Sequence, residues 1–463
     1  METLRLKRLS LLMFVMALMT TSQAASYKEV RLSLPFTMGQ EGQGGLLATD
    51  MNGDGKMDLL VTSPGQLAAL ESNGNTLWHT QADIRVSAGS SEGHGLPGHD
   101  APGAQACDID GDGRVEILFL DQSNTIHVLA GESGLSKSTI TIPNPKGSER
   151  WEHMAVVNLR GKGDKDIVLQ ATNAKGYRVG HYVSAYAIDN LKAQLLWSTD
   201  RFGALAHGPF RAADLDADGR DEICGFTILG PDGKDTDWAY PSIDKAHAGG
   251  ASFHIDSIFI YDVRPEIPGL EVVFLEEGRN YSALANTKEG LLWWTTNKRQ
   301  EPQNAAVGEF SLEHEGLEIW CRSRYNTHQK PWVLDSHGEI ISSYQMVDCA
   351  PEGWTTSGVE VIVPIDWSGR RLQLAAAKER HESGDIGLFK PATGEFVLHI
   401  KAKADRLYVA DITGDWREEI IIVEGKQIRF FENTAPNAQP LHARLWTQQN
   451  YRRSKMSWNY YSP

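Results

Sequence analysis

One acidic pattern recurs along this chain and limits its fold more than any other feature. It reads Asp108-Ile-Asp-Gly-Asp-Gly-Arg-Val-Glu116 and runs directly into the apolar segment ILFL. Close copies begin at Asp50 and Asp214, and a looser copy begins at Asp411. Self-similar segments spaced by about 40 to 60 residues are typical of repeat architectures, in which each copy marks one supersecondary unit. The chain is therefore expected to fold as a series of similar units.

The pattern has the composition of a calcium loop. Oxygen ligands at positions 1, 3, 5 and 9, with a backbone carbonyl at position 7, supply the six or more hard oxygens that calcium prefers. A strand follows each copy where an EF-hand would need a helix, and we expect the ions to fasten the fold rather than to catalyse. The predicted ligands are Asp50, Asn52, Asp54, Lys56 and Asp58; Asp108, Asp110, Asp112, Arg114 and Glu116; Asp214, Asp216, Asp218, Arg220 and Glu222; and Asp411, Asp415 and Glu419.

The other copies keep the frame of the pattern and lose its acids. Units begin near positions 50, 108, 158, 214, 262, 310, 366 and 411. Those near 158, 262 and 310 carry Arg, Lys or Pro at ligand positions, so we expect them to keep the turn and lose the ion. Eight strand-rich units predict an all-β fold, an eight-bladed β-propeller, with seven blades as the alternative. The N-terminal strand around Val30 is expected to pair with the last blade.

The first 24 residues have the order of a secretory signal peptide. Three basic residues precede an apolar run from Leu11 to Met19, and Ser22-Gln23-Ala24 follows. The run is too short to span a membrane, so we expect export to the periplasm or the cell exterior without membrane insertion. Residues 25–463 then form a single propeller domain, with loop insertions at about 86–106, 141–156 and 228–256 that are expected to build a binding site.

Charge and motifs exclude several classes of function. A net charge of -15 argues against a nucleic-acid partner, because phosphate binding needs a basic surface. The chain contains no GxSxG elbow, HExxH helix, P-loop or dinucleotide fingerprint. A disulfide between Cys321 and Cys349 and four free thiols are both compatible with the sequence.

Histidines that precede the repeats are candidate functional residues. His94 and His99 lie in the glycine-rich segment EGHGLPGHDAPG, and His153, His207 and the pair His247 and His254 precede repeats in the same way. A lone histidine is more often a surface or turn residue, but several on one propeller face would indicate a site.

A basic and aromatic cluster near the chain end stands out in this acidic sequence. We expect it to face an anionic sugar. Its members are Tyr451, Arg452, Arg453, Lys455, Trp458, Tyr460 and Tyr461.

Four sequence blocks resemble a known family. They are Gly176-Tyr177-Arg178 through YVSAY, His207 followed by ADLDADGRDEICGFTIL, PGLEVVFLEEG at 268–278, and VADITGDWREEIII with the later YRRSKMSWNYY. Their order resembles the rhamnogalacturonan lyases of polysaccharide lyase family 11, which are calcium-dependent eight-bladed propellers that cleave pectic chains by β-elimination. The resemblance runs from roughly residue 100 to the chain end. It implies a polysaccharide substrate, Ca²⁺ as cofactor, and functional roles for Lys403, His207 and Tyr460 or Tyr461.

β-Elimination beside a uronic acid requires a neutralised carboxylate, a base for the C5 proton and a donor for the leaving oxygen. We expect the base to be Lys403 or one of His99, His153 and His207. Arg178 or a bound calcium is the candidate neutraliser, and the candidate donors are Tyr177, Tyr182 and Tyr460. Substrate binding is assigned to Tyr177, Arg452, Arg453, Trp458, Tyr460 and Tyr461.

Two other functions fit the same sequence. One is a non-catalytic propeller of the integrin-like calcium-repeat type that binds glycan or protein. The other is a glycosidase, which would need two carboxylates at a fixed separation.

Overall fold

A computed structural model describes residues 26–39, 43–86, 100–176, 180–236, 254–277, 280–296, 302–323, 330–354, 359–379, 383–459 and 463. These residues form eight antiparallel sheets, seven with four strands and one with three. The first strands of successive sheets contact one another around a common axis, while the last strands expose alternate side chains. The prediction of an eight-bladed β-propeller is therefore confirmed.

The blades follow one another along the chain. Blade 1 contains β2 (Leu46–Thr49), β3 (Asp58–Ser63), β4 (Gln66–Glu71) and β5 (Thr76–Gln81). Blade 2 contains β6 (Ala104–Cys107), β7 (Glu116–Leu120), β8 (Thr125–Ala130) and β9 (Ser136–Thr141). Blade 3 contains β10 (Trp151–Val157), β11 (Asp166–Ala171), β12 (Val183–Asp189) and β13 (Lys192–Thr199). Blade 4 contains β14 (Arg211–Ala213), β15 (Glu222–Cys224) and β16 (Ile228–Leu229).

The second half of the ring has the same order. Blade 5 contains β17 (Ile255–Tyr261), β18 (Glu271–Glu276), β19 (Tyr281–Asn286) and β20 (Gly290–Thr296). Blade 6 contains β21 (Pro302–Gly308), β22 (Glu318–Ser323), β23 (Trp332–Leu334) and β24 (Ile340–Ser343). Blade 7 contains β25 (Val359–Ile365), β26 (Leu374–Glu379), β27 (Gly384–Phe389) and β28 (Phe396–Ala404). Blade 8 contains β29 (Arg406–Ala410), β30 (Glu419–Glu424), β31 (Gln427–Asn433) and β1 (Tyr27–Ser33). The described helices are α1 (Met346–Cys349), a 3₁₀ turn (Leu445–Thr447) and α2 (Gln449–Met456).

The ring closes as predicted. Strand β1 pairs antiparallel with β31, so that Val30 lies opposite Phe430. The Arg429 guanidinium donates to both carboxylate oxygens of Glu29, at 2.8 and 3.2 Å. Blade 8 is thus built from both ends of the domain.

The eight repeat loops all lie at one end of the propeller. Each loop connects the first and second strands of its blade. A blade therefore begins one strand before the repeat unit that the sequence pattern marks. In seven blades a carboxylate at the start of the second strand accepts the N–H of the loop's second residue, as Glu116 does from Ile109 at 3.0 Å and Glu271 from Val263 at 2.9 Å. This bond needs no ion, which explains how the eroded copies keep the turn. We call this end the acidic face.

The opposite end carries the connections that lead into each first strand, because strand direction alternates within a blade. We call it the histidine face, after His153, His207 and His254, which lie there. The insertions predicted at 86–106, 141–156 and 228–256 all lead to this face. Residues 87–99 and 237–253 lie outside the described residues, and residues 151–156 belong to β10 instead of a loop.

Three pairs of adjacent blades are each joined by a tryptophan that reaches from the last strand of one blade to a turn of the next. The indole N–H and carbonyl pairs are Trp78 with Gly131 at 2.6 Å, Trp197 with Pro231 at 2.9 Å, and Trp293 with Ser336 at 2.8 Å. A glycine with positive φ lies against each ring, where a Cβ would come within 2.7 Å: Gly134, Gly233 and Gly338. The requirement for glycine there comes from both the backbone and the ring.

All four cysteines are free thiols, so the predicted alternative of a Cys321–Cys349 disulfide is not formed. Cys321 is buried and Cys349 is partly exposed. In the described part of the chain, no helix is long and apolar enough to cross a membrane.

Candidate active site

Four side chains from three segments converge on the histidine face. His254 Nε2 lies 3.1 Å from His207 Nε2, 3.1 Å from Asp256 Oδ1 and 3.2 Å from Glu277 Oε2. His207 Nε2 lies 3.4 Å from the same oxygen of Asp256. The side chains of His207 and Asp256 are 5% and 3% exposed, whereas that of His254 is 40% exposed. The group, which we call the His–Asp cluster, is therefore anchored inside the protein and open on one side.

Strand pairing brings three of these residues together. His254 immediately precedes β17 and Glu277 immediately follows β18, and the two strands pair with Ile255 opposite Glu276. The register shifts between Ile255 and Ser257, so Asp256 is the extra residue of a bulge. A bulge redirects a side chain, and bulges are common next to active sites.

His207 comes from the connection between blades 3 and 4. The next residue, Gly208, has a φ of 80°, and a Cβ there would lie 2.9 Å from the carbonyl oxygen of Trp458. The C-terminal segment thus packs directly behind the histidine. A glycine is required because any side chain would displace one of the two segments.

The electrostatics of the cluster favour a bound positive charge. Burial raises the pKa of Asp256 to about 8. Hydrogen bonds to Asp256 and Glu277 raise the pKa of His254 to about 10, because its proton lies between two carboxylates. The cluster without a cation therefore holds a proton at this position.

The same donor set fits a divalent cation. One nitrogen or oxygen atom from each of the four residues lies within 4.8 Å of all the others. Two imidazoles and two carboxylates are ligands for divalent metal ions, with imidazole favouring transition metals and carboxylate favouring harder ions. The residues present are therefore compatible with a metal site.

The sequence identified only half of this cluster. His207 was predicted as catalytic and His254 was noted before a repeat, whereas Asp256 and Glu277 were missed. The available signal was the pair His254 and Asp256, two positions apart at the start of a strand, together with Glu277 at the end of the block PGLEVVFLEEG. Their convergence depends on strand register.

Three further predicted residues lie at the same end of the propeller. His153 is buried in β10, and Tyr182 precedes β12 with its ring centroid 6.1 Å from that of Trp151. Lys403 is exposed near the end of β28 in blade 7. His207 and Lys403 are thus separated by about half of the ring. The predicted residues His99, Tyr177, Arg178, Tyr460 and Tyr461 lie outside the described residues.

The basic and aromatic cluster is placed differently from its prediction. Helix α2 crosses the axis at the acidic face, where Arg453 pairs with Asp164 and Asp221, each at 2.8 Å. Arg452 lies 3.5 Å from Asp164 and donates to the Trp446 carbonyl at 2.9 Å. Trp458 is 2% exposed, with its ring 5.3 Å from that of Tyr408. Arg453 and Trp458 therefore hold the C-terminal segment in the channel, and the expected sugar-facing surface is not formed by them.

The predicted calcium loops lie on the other face, and each begins with a carboxylate that binds its own backbone. Asp50 accepts N–H groups from Gly53 and Gly55 at 2.8 and 2.9 Å. Equivalent bonds are made by Asp108 to Gly111 and Gly113, by Asp214 to Asp218 and Gly219, and by Asp411 to Gly414. Asp108, Asp110 and Glu116, and likewise Asp214, Asp216 and Asp218, bring oxygens within 4.8 Å of one another.

The fourth loop departs from a calcium site. The Arg444 guanidinium donates to Asp411 Oδ2 at 2.9 Å, and Thr413 Oγ donates to Glu419 Oε1 at 2.9 Å. Asp415 pairs with Arg417 at 2.5 Å. Protein groups therefore satisfy the three acids that were predicted as ligands here.

Comparison with known proteins gives the family of this chain. Residues 152–462 match the model of the rhamnogalacturonan lyase family 11 C-terminal domain, and residues 43–76 match the FG-GAP repeat. The chain is similar to the rhamnogalacturonan exolyase YesX of Bacillus subtilis (strain 168), with 21% identity over 80% of this chain and 68% of YesX. It is also similar to the rhamnogalacturonan endolyase YesW of the same organism, with 23% identity over 58% of this chain and 41% of YesW.

Solved structures show the same fold. The crystal structure of the exotype rhamnogalacturonan lyase YesX superposes with a TM-score of 0.67 at 18% identity, covering 94% of this chain and 80% of that one. The Vibrio cholerae biofilm matrix protein Bap1 superposes with a TM-score of 0.55 at 12% identity, covering 89% of this chain and 92% of that one. The family match covers most of the chain, and this chain belongs to rhamnogalacturonan lyase family 11.

Proposed function

We propose that this protein is an exported polysaccharide lyase that cleaves a uronate-containing glycan of the rhamnogalacturonan type by β-elimination. The observation that carries the proposal is the convergence of His207, His254, Asp256 and Glu277 at the histidine face. Family membership supports the reaction class. The His–Asp cluster could hold the cation that neutralises the uronate carboxylate in β-elimination. Export is supported by the composition of residues 1–24.

In this proposal the His–Asp cluster holds a divalent cation. A cation bound there would neutralise the uronate carboxylate, which makes the C5 proton more acidic. In this proposal His207 is a metal ligand, whereas it was predicted from the sequence as a candidate base. His254, the most exposed member of the cluster, faces the open side of the site, where the substrate would enter.

The proton is then removed by another group at the same face. Among the described residues, His153 and Lys403 are the candidates, and Tyr182 is the candidate donor to the leaving oxygen. His153 is buried and Lys403 is exposed, so a substrate reaches Lys403 without displacing protein groups. The C5 proton lies next to the carboxylate that the cluster would bind, and Lys403 stands about half of the ring from His207, so His153 in blade 3 is the nearer of the two candidates.

Calcium is proposed for the acidic loops at Asp50–Asp58 and Asp214–Glu222, where it would stabilise the blades. Among the described residues, the first acids Asp50 and Asp214 form no ion pair with a lysine or arginine, although Arg220 pairs with Asp218 at 2.5 Å inside the Asp214–Glu222 loop. The backbone-bound carboxylates leave further oxygens for an ion. The function of these ions is separate from that of the catalytic site.

The test measures unsaturated uronate by its ultraviolet absorbance, with rhamnogalacturonan and polygalacturonan as substrates. Asp256→Asn is expected to lower kcat/KM by about 100-fold or more, because changes to groups around a metal already cost up to about 100-fold. Asp262→Asn is the matched control, since Asp262 is exposed on the acidic face of the same blade. His153→Gln and Lys403→Met then identify the base by loss of kcat with retained glycan binding.

Glycan binding without an unsaturated product or new reducing ends would contradict the lyase proposal and support the non-catalytic propeller. New reducing ends without ultraviolet absorbance would instead indicate a glycosidase. Equal activity of Asp256→Asn and Asp262→Asn would remove the cluster from the reaction.

A further inference from the structure

In the second acidic loop, one lysine ammonium from outside the loop contacts three of the loop's carboxylates. The Lys137 Nζ lies 2.6 Å from Asp110 Oδ2, 2.8 Å from Glu116 Oε1 and 3.0 Å from Asp112 Oδ2. These three carboxylates stand at positions 3, 5 and 9 of the loop, which are the positions of calcium ligands in the sequence pattern. An ammonium group has three donors, and here all three acceptors are carboxyl oxygens of the loop.

The position of Lys137 is fixed by a bulge that the blades share. Val128 pairs with Ser138 and Leu129 pairs with Ser136, so Lys137 is the extra residue in the last strand of blade 2. The same register shift occurs in five other blades. The residues at the corresponding position are Leu77, Leu196, Leu292, Ile341 and Val397.

Among the six blades that have this bulge, blade 2 is the one with a charged residue at the bulge position. An aliphatic side chain at this position carries no charge, whereas the lysine side chain places its ammonium group among the carboxylates of the loop. In blade 1, where Leu77 stands at this position, Asp50, Asp54 and Asp58 form no ion pair with a described residue.

A second lysine adds to the positive charge at the same loop. A Cβ on Gly111 would lie 2.0 Å from the Lys165 Nζ, which belongs to the loop of blade 3. By contrast, a Cβ on the equivalent Gly53 of the first loop would meet nothing within 4 Å. Two ammonium groups from different blades therefore flank the second loop.

We infer that the Lys137 ammonium is a built-in replacement for calcium, so that the loop Asp108–Glu116 binds no ion while Lys137 is present. A calcium ion bound by Asp110, Asp112 and Glu116 would lie beside the ammonium that shares these oxygens, and the like charges would repel. Calcium also needs six to eight oxygens, whereas three here are already used by the lysine. The inference concerns structural cations and is independent of lyase activity.

The experiment counts calcium bound per chain by equilibrium dialysis and metal analysis, without substrate. Lys137→Leu, which copies the residue of blades 1, 3 and 5, is expected to bind one calcium more than the wild type. Lys137→Arg, which keeps the positive charge, is expected to match the wild type. Adding Asp112→Asn to Lys137→Leu should remove the gained ion, and circular dichroism verifies the fold of each variant.

A second pair of variants tests the inference in the wild-type background. Asp112→Asn is expected to leave the calcium count unchanged, whereas Asp216→Asn in the third loop should lower it by one. The inference is overturned if Asp112→Asn lowers the wild-type count by one, or if a folded Lys137→Leu gains no ion. If Lys137→Leu does not fold, the two Asp→Asn variants decide the question.

Discussion

The two faces of this propeller use carboxylates in opposite ways. On the acidic face, each loop binds its own backbone, as Asp50 binds the N–H groups of Gly53 and Gly55. On the histidine face, Asp256 and Glu277 converge with His254 of the same blade and with His207 from the connection between blades 3 and 4. The first arrangement is complete within nine residues, and the second exists only when two blades are assembled. The acidic face is therefore suited to holding the fold, and the histidine face is suited to binding and chemistry.

The largest expected effect concerns the attachment of neighbouring blades near the acidic face. Trp78→Ala should lower the free energy of unfolding by about 3 to 5 kcal/mol, because a buried ring and its bond to Gly131 are lost. Trp78→Phe keeps most of the ring and should cost less. Denaturant unfolding measures both. A normal kcat in the folded fraction is expected, and a loss of kcat larger than the loss of folded protein would contradict the division between the faces.

The next effect concerns the histidine face. Glu277→Gln should weaken metal binding and lower kcat/KM by roughly 10- to 100-fold, because a ligand oxygen loses its charge. The melting temperature should change little. Metal titration and initial rates are measured on the same preparation. Glu276→Gln is the neighbouring control variant, since Glu276 accepts the backbone N–H of His254 at 3.1 Å and is not one of the four residues of the cluster. Equal metal affinity in Glu277→Gln and the wild type would remove this residue from the site.

A smaller effect is expected at the third acidic loop. Calcium at 100 times its Kd stabilises a folded protein by about 2.7 kcal/mol per site, and Asp214→Asn should remove the share of the third loop while the share of the first loop remains. The comparison of thermal unfolding with calcium and with chelator measures this share. The calcium-dependent gain of the variant should therefore be smaller than that of the wild type. Retained calcium stabilisation of the wild-type size would assign the effect to another loop.

The smallest effect is expected at the eroded loop of blade 3. Arg160 donates to Asp166 at 2.6 Å and pairs with Asp189 at 2.9 Å, so a guanidinium bridges two carboxylates at a loop that is expected to have lost its ion. Arg160→Met should cost about 1 to 2 kcal/mol, because Asp166 is buried while Asp189 is exposed. The cost should be identical with and without chelator. A cost that appears only without chelator would show that this loop also depends on an ion.

The two faces also differ in how far the sequence could predict them. The loops were found because nine consecutive residues carry the whole pattern, and each copy repeats it. The sequence pattern did not predict that a lysine contacts the acids of the second loop. Lys137 lies outside the pattern and is placed there by a bulge in the last strand of blade 2. The C-terminal cluster was interpreted as surface because basic and aromatic residues usually are, whereas Arg453 pairs with the buried Asp221 and the partly buried Asp164 of two different blades.

The amino-acid sequence by itself predicted a β-propeller of eight blades, with seven as the alternative, the pairing of the first and last strands, and the resemblance to the family. The blades follow from a turn and an apolar strand that each unit repeats, and the family follows from four sequence blocks. Only the tertiary structure decided that His207, His254, Asp256 and Glu277 form one cluster. The physical reason is that their contacts depend on the strand register of blade 5 and on the packing of the C-terminal segment behind Gly208.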